Sequence, residues 1–182
     1  MGQLYNLASG RICRSLAAVV VTIAALLVMG SPPAKAAKSV PLANMAGQWT
    51  GNGWASRTVG ASKEKVRCRL KAKYNAKTRK LSLSGKCAAS SGTYTLLGHI
   101  AEYAGSKKLT GRWVNPKGIG SMNIAGNRSG NRLTFRFNNK DKKSKRKVAY
   151  KTVWDLRSGG FSLNTGLASG AHNALGQIDF QR

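Results

Sequence analysis

The sequence predicts an all-β protein built as a single antiparallel up-and-down barrel of about eight strands. From residue 45 onward, apolar and polar residues alternate with period two, and no segment carries apolar residues at helical spacing. Turn-forming residues recur about every ten positions, so the predicted strands are joined by short links. A β-sandwich needs longer crossovers, and the short links therefore favour a meander that closes on itself.

Residues 1–36 are predicted to form a signal peptide. Arg11 and Arg14 precede an uninterrupted run of apolar or small residues over 17–30, and the small residues that end at Ala36 form a signal-peptidase pattern. The alternative is an uncleaved membrane anchor, but the apolar run is shorter than the roughly 20 residues that a membrane span requires. We therefore expect cleavage after Ala36 and export, to the periplasm or cell envelope of a bacterium or as a secreted protein of another source.

The segment 65–89 predicts a β-hairpin that carries a disulfide. A turn centred on Lys77 and Thr78 superposes the apolar faces of the two strands and places Cys68 directly opposite Cys87 on the inner face. These are the two cysteines that follow residue 36, and an even number in an exported chain favours a disulfide over a metal site. A slip of one residue would separate the two sulfurs, so the alternation and the cysteines indicate the same register.

The chain after the signal peptide divides into a short tether over 37–44 and a barrel domain over 45–182. The strands outside the hairpin are predicted from alternating apolar residues, with turn residues between them. They cover 47–54, 92–103, 107–114, 118–126, 131–139 and 148–156, and the segments 161–164 and 177–180 are candidates for two short additional strands.

The chain is strongly basic, with 31 lysines and arginines against 5 acidic residues and a formal net charge of +26. Self-repulsion on this scale favours an anionic partner: a lipid, glycan or acidic protein of the envelope, or a small ligand. Export argues against nucleic acid, and the alternative interpretation of the basic run at 140–147 is a solvated hairpin loop. The candidate anion-binding surface comprises Arg67, Arg69, Lys71, Lys73, Lys140, Lys142, Lys143, Lys145, Arg146 and Lys147.

Gly47, Gln48 and Trp49 stand at the start of the first predicted strand, ahead of the antiparallel meander. In these features the chain resembles the calycin superfamily, the lipocalin-like and avidin-like β-barrels found among exported bacterial proteins. The resemblance implies that Trp49 packs across the closed end of the barrel, with Gly47 beside it and Arg157 against its ring. The Thr-Asp-Tyr stretch of lipocalins is absent from the sequence, and no ligand class is carried over from the family.

The apolar faces of the later strands carry Trp113, Tyr150 and Trp154, which are predicted to line the interior and any pocket in it. Trp49 is interpreted as a packing residue of the barrel floor. Trp54 is five residues further along the first strand, and it is therefore expected to face the other way.

No catalytic constellation is recognisable in the sequence. The histidines and acids match neither a metal-ligand spacing nor a paired-carboxylate or nucleophile motif, so we expect no enzyme, no cofactor and no metal. His99 shares its strand face with Leu97 and Ala101, and this environment predicts a core or rim histidine rather than a general base. An enzyme that uses His99 is therefore the least favoured hypothesis.

The sequence thus predicts an exported, non-enzymatic binding protein that engages an anionic or amphipathic partner through its cavity or its basic surface. The alternative is a structural or protein-inhibitor module of the envelope, which acts through basic loops and holds no small ligand. A continuous internal cavity would favour ligand binding, whereas a filled barrel would favour contact through the surface.

Overall fold

The described part of the chain forms one closed antiparallel β-barrel. The computed structural model describes residues 39–115, 120–140, 146–169 and 174–182, and the predicted signal peptide lies outside these ranges. Each strand pairs with its neighbours in sequence, and the last pairs with the first to close the ring. The strands are β1 Gly47–Ala55, β2 Glu64–Asn75, β3 Lys80–Ala89, β4 Gly92–Glu102, β5 Lys108–Asn115, β6 Gly120–Ser129, β7 Arg132–Lys140, β8 Lys147–Arg157, β9 Gly160–Leu167 and β10 Ala174–Gln181.

The prediction of about eight strands is wrong, because the described residues form ten. The two segments that were candidates for short strands are the full strands β9 and β10. Residues 50–55 of β1 pair with residues 176–181 of β10, and without this pairing β1 would expose an unpaired edge. Small or polar residues such as Thr165 and Gly176 interrupt the apolar alternation of β9 and β10, so the sequence pattern indicates only part of each strand.

The predicted cysteine hairpin is confirmed. Cys68 of β2 lies opposite Cys87 of β3, with 4.0 Å between the two Cα atoms, and a disulfide joins them in the barrel interior. The same register pairs Tyr74 with Leu81, so the apolar faces of the two strands coincide. A disulfide is typical of oxidising compartments and is compatible with export. In the described ranges, no helix is long and apolar enough to cross a membrane.

The segment that precedes β1 covers one end of the barrel. Leu42–Met45 form a 3-10 helix whose two large apolar side chains are buried, so this part of the predicted tether is packed against the core. The indole N–H of Trp49 donates a hydrogen bond to the carbonyl oxygen of Met45 at 2.8 Å. The backbone N–H of Val40 donates to the side-chain oxygen of Asn131 at 2.6 Å, which fastens the segment to the turn between β6 and β7.

Aromatic rings fill the interior beside this covered end. The ring of Phe161 stacks on those of Phe180 and Trp154, with centroids 4.6 Å and 5.5 Å away, and it meets Trp49 edge-on at 5.3 Å. Phe135 contacts Trp154 edge-on at 6.1 Å. All five rings are buried. Because these buried rings contact one another, this half of the barrel is a packed core. Each such pair adds about 0.5 to 1.5 kcal/mol of stability beyond that from area burial.

Arg182 is the arginine that covers Trp49, which corrects the assignment of Arg157 to that position. The guanidinium carbon of Arg182 lies 5.0 Å from the ring centroid of Trp49. Its Nη2 donates to the carbonyl oxygens of Asn44 and Ala46 at 2.9 Å and 3.4 Å. The side chain of Arg182 therefore connects the 3-10 helix, the ring of Trp49 and the end of β10.

Arg157 faces solvent because it follows the buried Leu156 along β8, and neighbouring residues of a strand point to opposite faces. There its Nη2 lies 3.0 Å from a carboxylate oxygen of Asp179. Gly47, the other residue of the predicted floor, begins β1 beside Arg182 with a φ of 141°, a conformation that favours glycine. Trp49 and Gly47 thus lie at the covered end, and Arg157 lies on the outer surface.

We expect Arg182→Ala to lower the free energy of unfolding by about 1 to 2 kcal/mol, because it removes a cation–π contact and charged hydrogen bonds to two carbonyls. The control Arg157→Ala removes only an exposed ion pair and should cost less than about 0.5 kcal/mol. Urea unfolding followed by tryptophan fluorescence measures both. Equal effects of the two substitutions would contradict the assignment of Arg182 to the barrel floor.

Candidate functional site

The outer face of β2 and β3 carries a set of exposed cations, called here the cationic wall. Along β2 every second residue from Val66 to Ala72 is buried, and the residues between them are exposed. The core occupies the inner face of the strand, so its basic residues are placed in solvent. The name is used for Arg67, Arg69, Lys71 and Lys73 of β2 and Lys86 of β3, and Lys65 is a further exposed cation at the start of β2.

Two members of the cationic wall oppose each other directly. Arg69 lies in register with Lys86 across the β2–β3 ladder. Like charges at opposed positions of a sheet are destabilising, so the folded barrel holds repulsion at this point. The other three members face neutral residues of β3, namely Ala88, Ser84 and Ser82.

The carboxylates of the described residues are engaged away from the cationic wall. Each side-chain carboxylate lies within 4.0 Å of an arginine that is not a member of the wall, and Asp141 lies outside the described residues. The wall therefore has no carboxylate partner in the part of the chain that the structure covers. The four pairs are Arg57–Glu64 at 3.9 Å, Arg128–Glu102 at 2.6 Å, Arg132–Asp155 at 2.6 Å and Arg157–Asp179 at 3.0 Å.

Local hydrogen bonds stabilise the charged forms of two of these groups. The hydroxyl and backbone N–H of Ser91, followed by the hydroxyl of Ser90, hold the pKa of Glu64 below its ordinary value. Hydrogen bonding to Asp155, together with its charge, raises the pKa of Arg132. Both groups are therefore ionised at neutral pH.

A shallow groove crosses the cationic wall. Arg67, Arg69 and Lys86 stand along it. Gly51 and Cys68 face the interior, since a Cβ added to Gly51 would lie 2.6 Å from the ring of Phe180. At these two positions the outer surface is therefore low, between taller side chains on either side. The remaining lining residues are neutral, namely Thr50, Asn52, Ala88 and Thr93.

The described members of the second predicted group of cations, Lys140, Arg146 and Lys147, lie on the opposite side of the barrel. Arg136 faces Lys151, and Lys140 faces Lys147, across β7 and β8. In the ring of ten described strands β7 is five strands from β2, so the two cationic surfaces point in opposite directions. The structure therefore does not join the predicted anion-binding residues into one surface. Arg146 is exposed, and Lys142, Lys143 and Lys145 lie outside the described residues.

His99 lies on the outer face of β4, between Ser82 of β3 and Arg112 of β5. Partial burial, and then the charges of Lys80 and Arg112, hold its pKa below the ordinary 6.5. The imidazole is therefore neutral at physiological pH and is flanked by cations rather than by a carboxylate. Within the described ranges, no three His, Cys, Asp or Glu residues are grouped so that they could hold a metal ion.

The predicted pocket residues divide between the packed core and a half-buried region. Trp154 is buried in the aromatic cluster. Trp113 meets Trp154 edge-on at 6.0 Å, and Tyr150 stacks on Phe137 at 5.3 Å. Trp113 and Tyr150 are half-buried and lie toward the end of the barrel away from the 3-10 helix. The covered half of the interior thus offers packing rather than space for a ligand.

Sequence reasoning missed four polar residues of the groove, Lys86, Thr50, Asn52 and Thr93. Lys86 could have been found, because the register that opposes Cys68 and Cys87 also opposes Arg69 and Lys86. Thr50 and Asn52 reach the wall only through the pairing of β1 with β2. No local pattern in the sequence indicates that register, since the two strands are joined through a loop of eight residues.

Comparison with known proteins assigns no family to the chain. No family model matches it, and no curated protein matches its sequence. The closed antiparallel meander is the general kind of barrel that the calycin resemblance implied. Function is therefore inferred from the surface and interior of this barrel alone.

We expect Lys86→Glu to raise the free energy of unfolding by about 0.5 kcal/mol, because it replaces repulsion of Arg69 by a cross-strand ion pair. Lys108→Glu is the control, since it changes the net charge equally but faces the neutral Asn127 on β6. Urea unfolding at low ionic strength measures both. If the two variants were equally stable, repulsion at the wall would be negligible.

We expect a histidine titration followed by NMR to give His99 a pKa below 6.5, and Arg112→Gln to raise that pKa by removing a nearby positive charge. Lys151→Gln on the opposite side of the barrel should leave it unchanged. Because the unfolded chain protonates His99 more readily than the barrel does, the stability contributed by the neutral imidazole is lost as the pH falls through 6.5 and below. A pKa of His99 that does not respond to Arg112→Gln would refute this electrostatic account.

Proposed function

We propose that the protein is an exported, non-catalytic binding protein whose cationic wall engages an anionic glycan of the cell envelope. The observation that carries this proposal is the wall itself: five exposed cations, two of them directly opposed, with no carboxylate partner among the described residues. Such an arrangement costs folding free energy in isolation, and an anion bound across it removes that cost.

The spacing of the cations favours an extended polymer. Arg67, Arg69, Lys71 and Lys73 are alternate residues of one strand. Alternate residues of a strand are about 6.5 to 7 Å apart, so the row extends for about 20 Å. A glycan that carries a phosphate, sulfate or carboxylate group on successive sugars presents charges along a similar line. Apart from Lys86, the β3 residues that border the row are short and neutral, so a chain can lie along it.

The distribution of charge favours a polymer over a flat membrane surface. Cations on β7 and β8 face away from the cationic wall, so one planar surface cannot contact both. A flexible polymer, or several polymer chains, can reach both sides of the barrel. The covered half of the interior supports contact through the outer surface, because the aromatic cluster fills it and leaves no space for a ligand there.

The test is retention of the disulfide-bonded protein on immobilised heparin, a sulfated glycan, during a salt gradient. Arg67→Gln/Arg69→Gln/Lys71→Gln should elute at clearly lower salt than the unmodified protein, because screened ion contacts are lost. The matched control is Lys77→Gln/Lys107→Gln/Lys108→Gln, which removes three exposed cations from turns or strand ends at the covered end of the barrel. It should elute close to the unmodified protein.

Three results would overturn the proposal. If the unmodified protein did not bind heparin at low salt, its positive charge would not engage a sulfated glycan. Equal losses in the wall variant and its control would show that net charge alone determines retention. Tighter binding to anionic phospholipid vesicles or to single-stranded DNA than to heparin would identify a different partner.

A further inference from the structure

The groove gathers three of the five cations of the cationic wall at one place. Arg69 and Lys86 are directly opposed, and Arg67 is the next outward residue of β2 after Arg69. Lys71 and Lys73 continue the row away from the groove and do not line it. The wall is therefore not uniform, because its positive charge is densest at the groove.

The disulfide fixes the backbone beneath these cations. Cys68 lies between Arg67 and Arg69 in β2, and Cys87 follows Lys86 in β3. The crosslink holds the two Cα atoms 4.0 Å apart, so the strand positions that carry all three cations are tied together from the inside. A site whose supporting backbone is rigid loses less entropy when a ligand orders its side chains.

Neutral hydrogen-bonding groups complete the groove. Asn52 of β1 lies opposite Arg67, and Thr50 lies opposite Arg69. The hydroxyl of Thr50 contacts the carbonyl oxygen of Gln181 at 3.3 Å, which orients its side chain. Thr93 of β4 lines the other side, next to Ala88. The groove thus offers amide and hydroxyl groups beside two guanidinium groups and one ammonium group.

We propose that this groove is the binding site for one tetrahedral oxyanion, a phosphate or sulfate ester group carried by the anionic glycan. This inference rests on the proposed function and names the charged group that the wall selects. A guanidinium group donates two parallel hydrogen bonds to the oxygens of such an ester, and Arg69 and Arg67 supply two of these groups. Lys86 adds a point charge from the opposite strand. Three donor groups match the three terminal oxygens of a phosphate monoester or sulfate ester, whereas a carboxylate presents only two oxygens.

The test compares two double variants of equal charge by calorimetric titration with pyrophosphate, and with acetate as the carboxylate probe. Arg69→Gln/Lys86→Gln removes the opposed pair in the groove. Lys71→Gln/Lys73→Gln removes two cations of the same wall outside it. We expect the groove variant to bind pyrophosphate at least about tenfold more weakly than the unmodified protein, and the control to change by less than about threefold. Acetate should bind more weakly to the unmodified protein than methyl sulfate, a tetrahedral ester that carries the same single charge.

A further variant, Arg69→Lys/Lys86→Arg, keeps both charges and should retain most of the pyrophosphate affinity. All of these residues face solvent, so we expect each variant to fold, and its thermal unfolding midpoint is measured to check that the barrel is intact. Titration with inorganic sulfate and with inorganic phosphate, at matched ionic strength, distinguishes the two ester classes.

The outcomes separate this inference from the proposed function. Equal losses of pyrophosphate affinity in the groove variant and the control would contradict the oxyanion site but not the proposed glycan binding by the wall. Heparin retention without measurable pyrophosphate binding would have the same meaning. Absence of heparin retention would overturn the proposed function, whatever the pyrophosphate titration shows. Pyrophosphate binding that is at least about tenfold tighter in the unmodified protein and in the charge-conserving variant than in Arg69→Gln/Lys86→Gln would support the oxyanion site.

Discussion

The backbone pairing of residues 50–55 with residues 176–181 joins β1 to β10 and makes the sheet a ring. A ring has no unpaired edge, so each described strand has a hydrogen-bonded neighbour on both sides. It also gives each strand one face toward a shared interior and one toward solvent. The direction of every side chain on the barrel, whether apolar or charged, follows from this closure.

Side chains on the inward faces of the strands fill the covered half of the barrel. Trp49, Phe161 and Phe180 approach from three strands, and their rings leave little room between them. The 3-10 helix and Arg182 then cover the same end. This packing supplies stability at one end, which allows the outer faces to carry an unfavourable density of like charge.

The disulfide connects the interior with the outer surface. Its two cysteines point inward, but their neighbours in sequence point outward and are the cations of the groove. A crosslink that stabilises the barrel therefore also sets the spacing of a charged site on its exterior. The crosslink therefore keeps the backbone positions of Arg69 and Lys86 opposed across the ladder, so the two like charges remain on directly paired residues.

Local pattern determined what depends on neighbouring residues: the all-β class, the β2–β3 register and the disulfide, because alternation and a short turn restrict the pairing of adjacent strands. It could equally have indicated Lys86 as a member of the wall. Contacts between distant segments were decided only by the tertiary structure. The full length of β9 and β10, of which the sequence marked only the candidate segments 161–164 and 177–180, and the position of Arg182 over Trp49 depend on ring closure. The arrival of Thr50 and Asn52 at the groove depends on the pairing of β1 with β2. Closure is a property of the whole sheet, because β1 meets β10 only when the strands between them complete the ring. A pattern within a short stretch of sequence therefore cannot predict it.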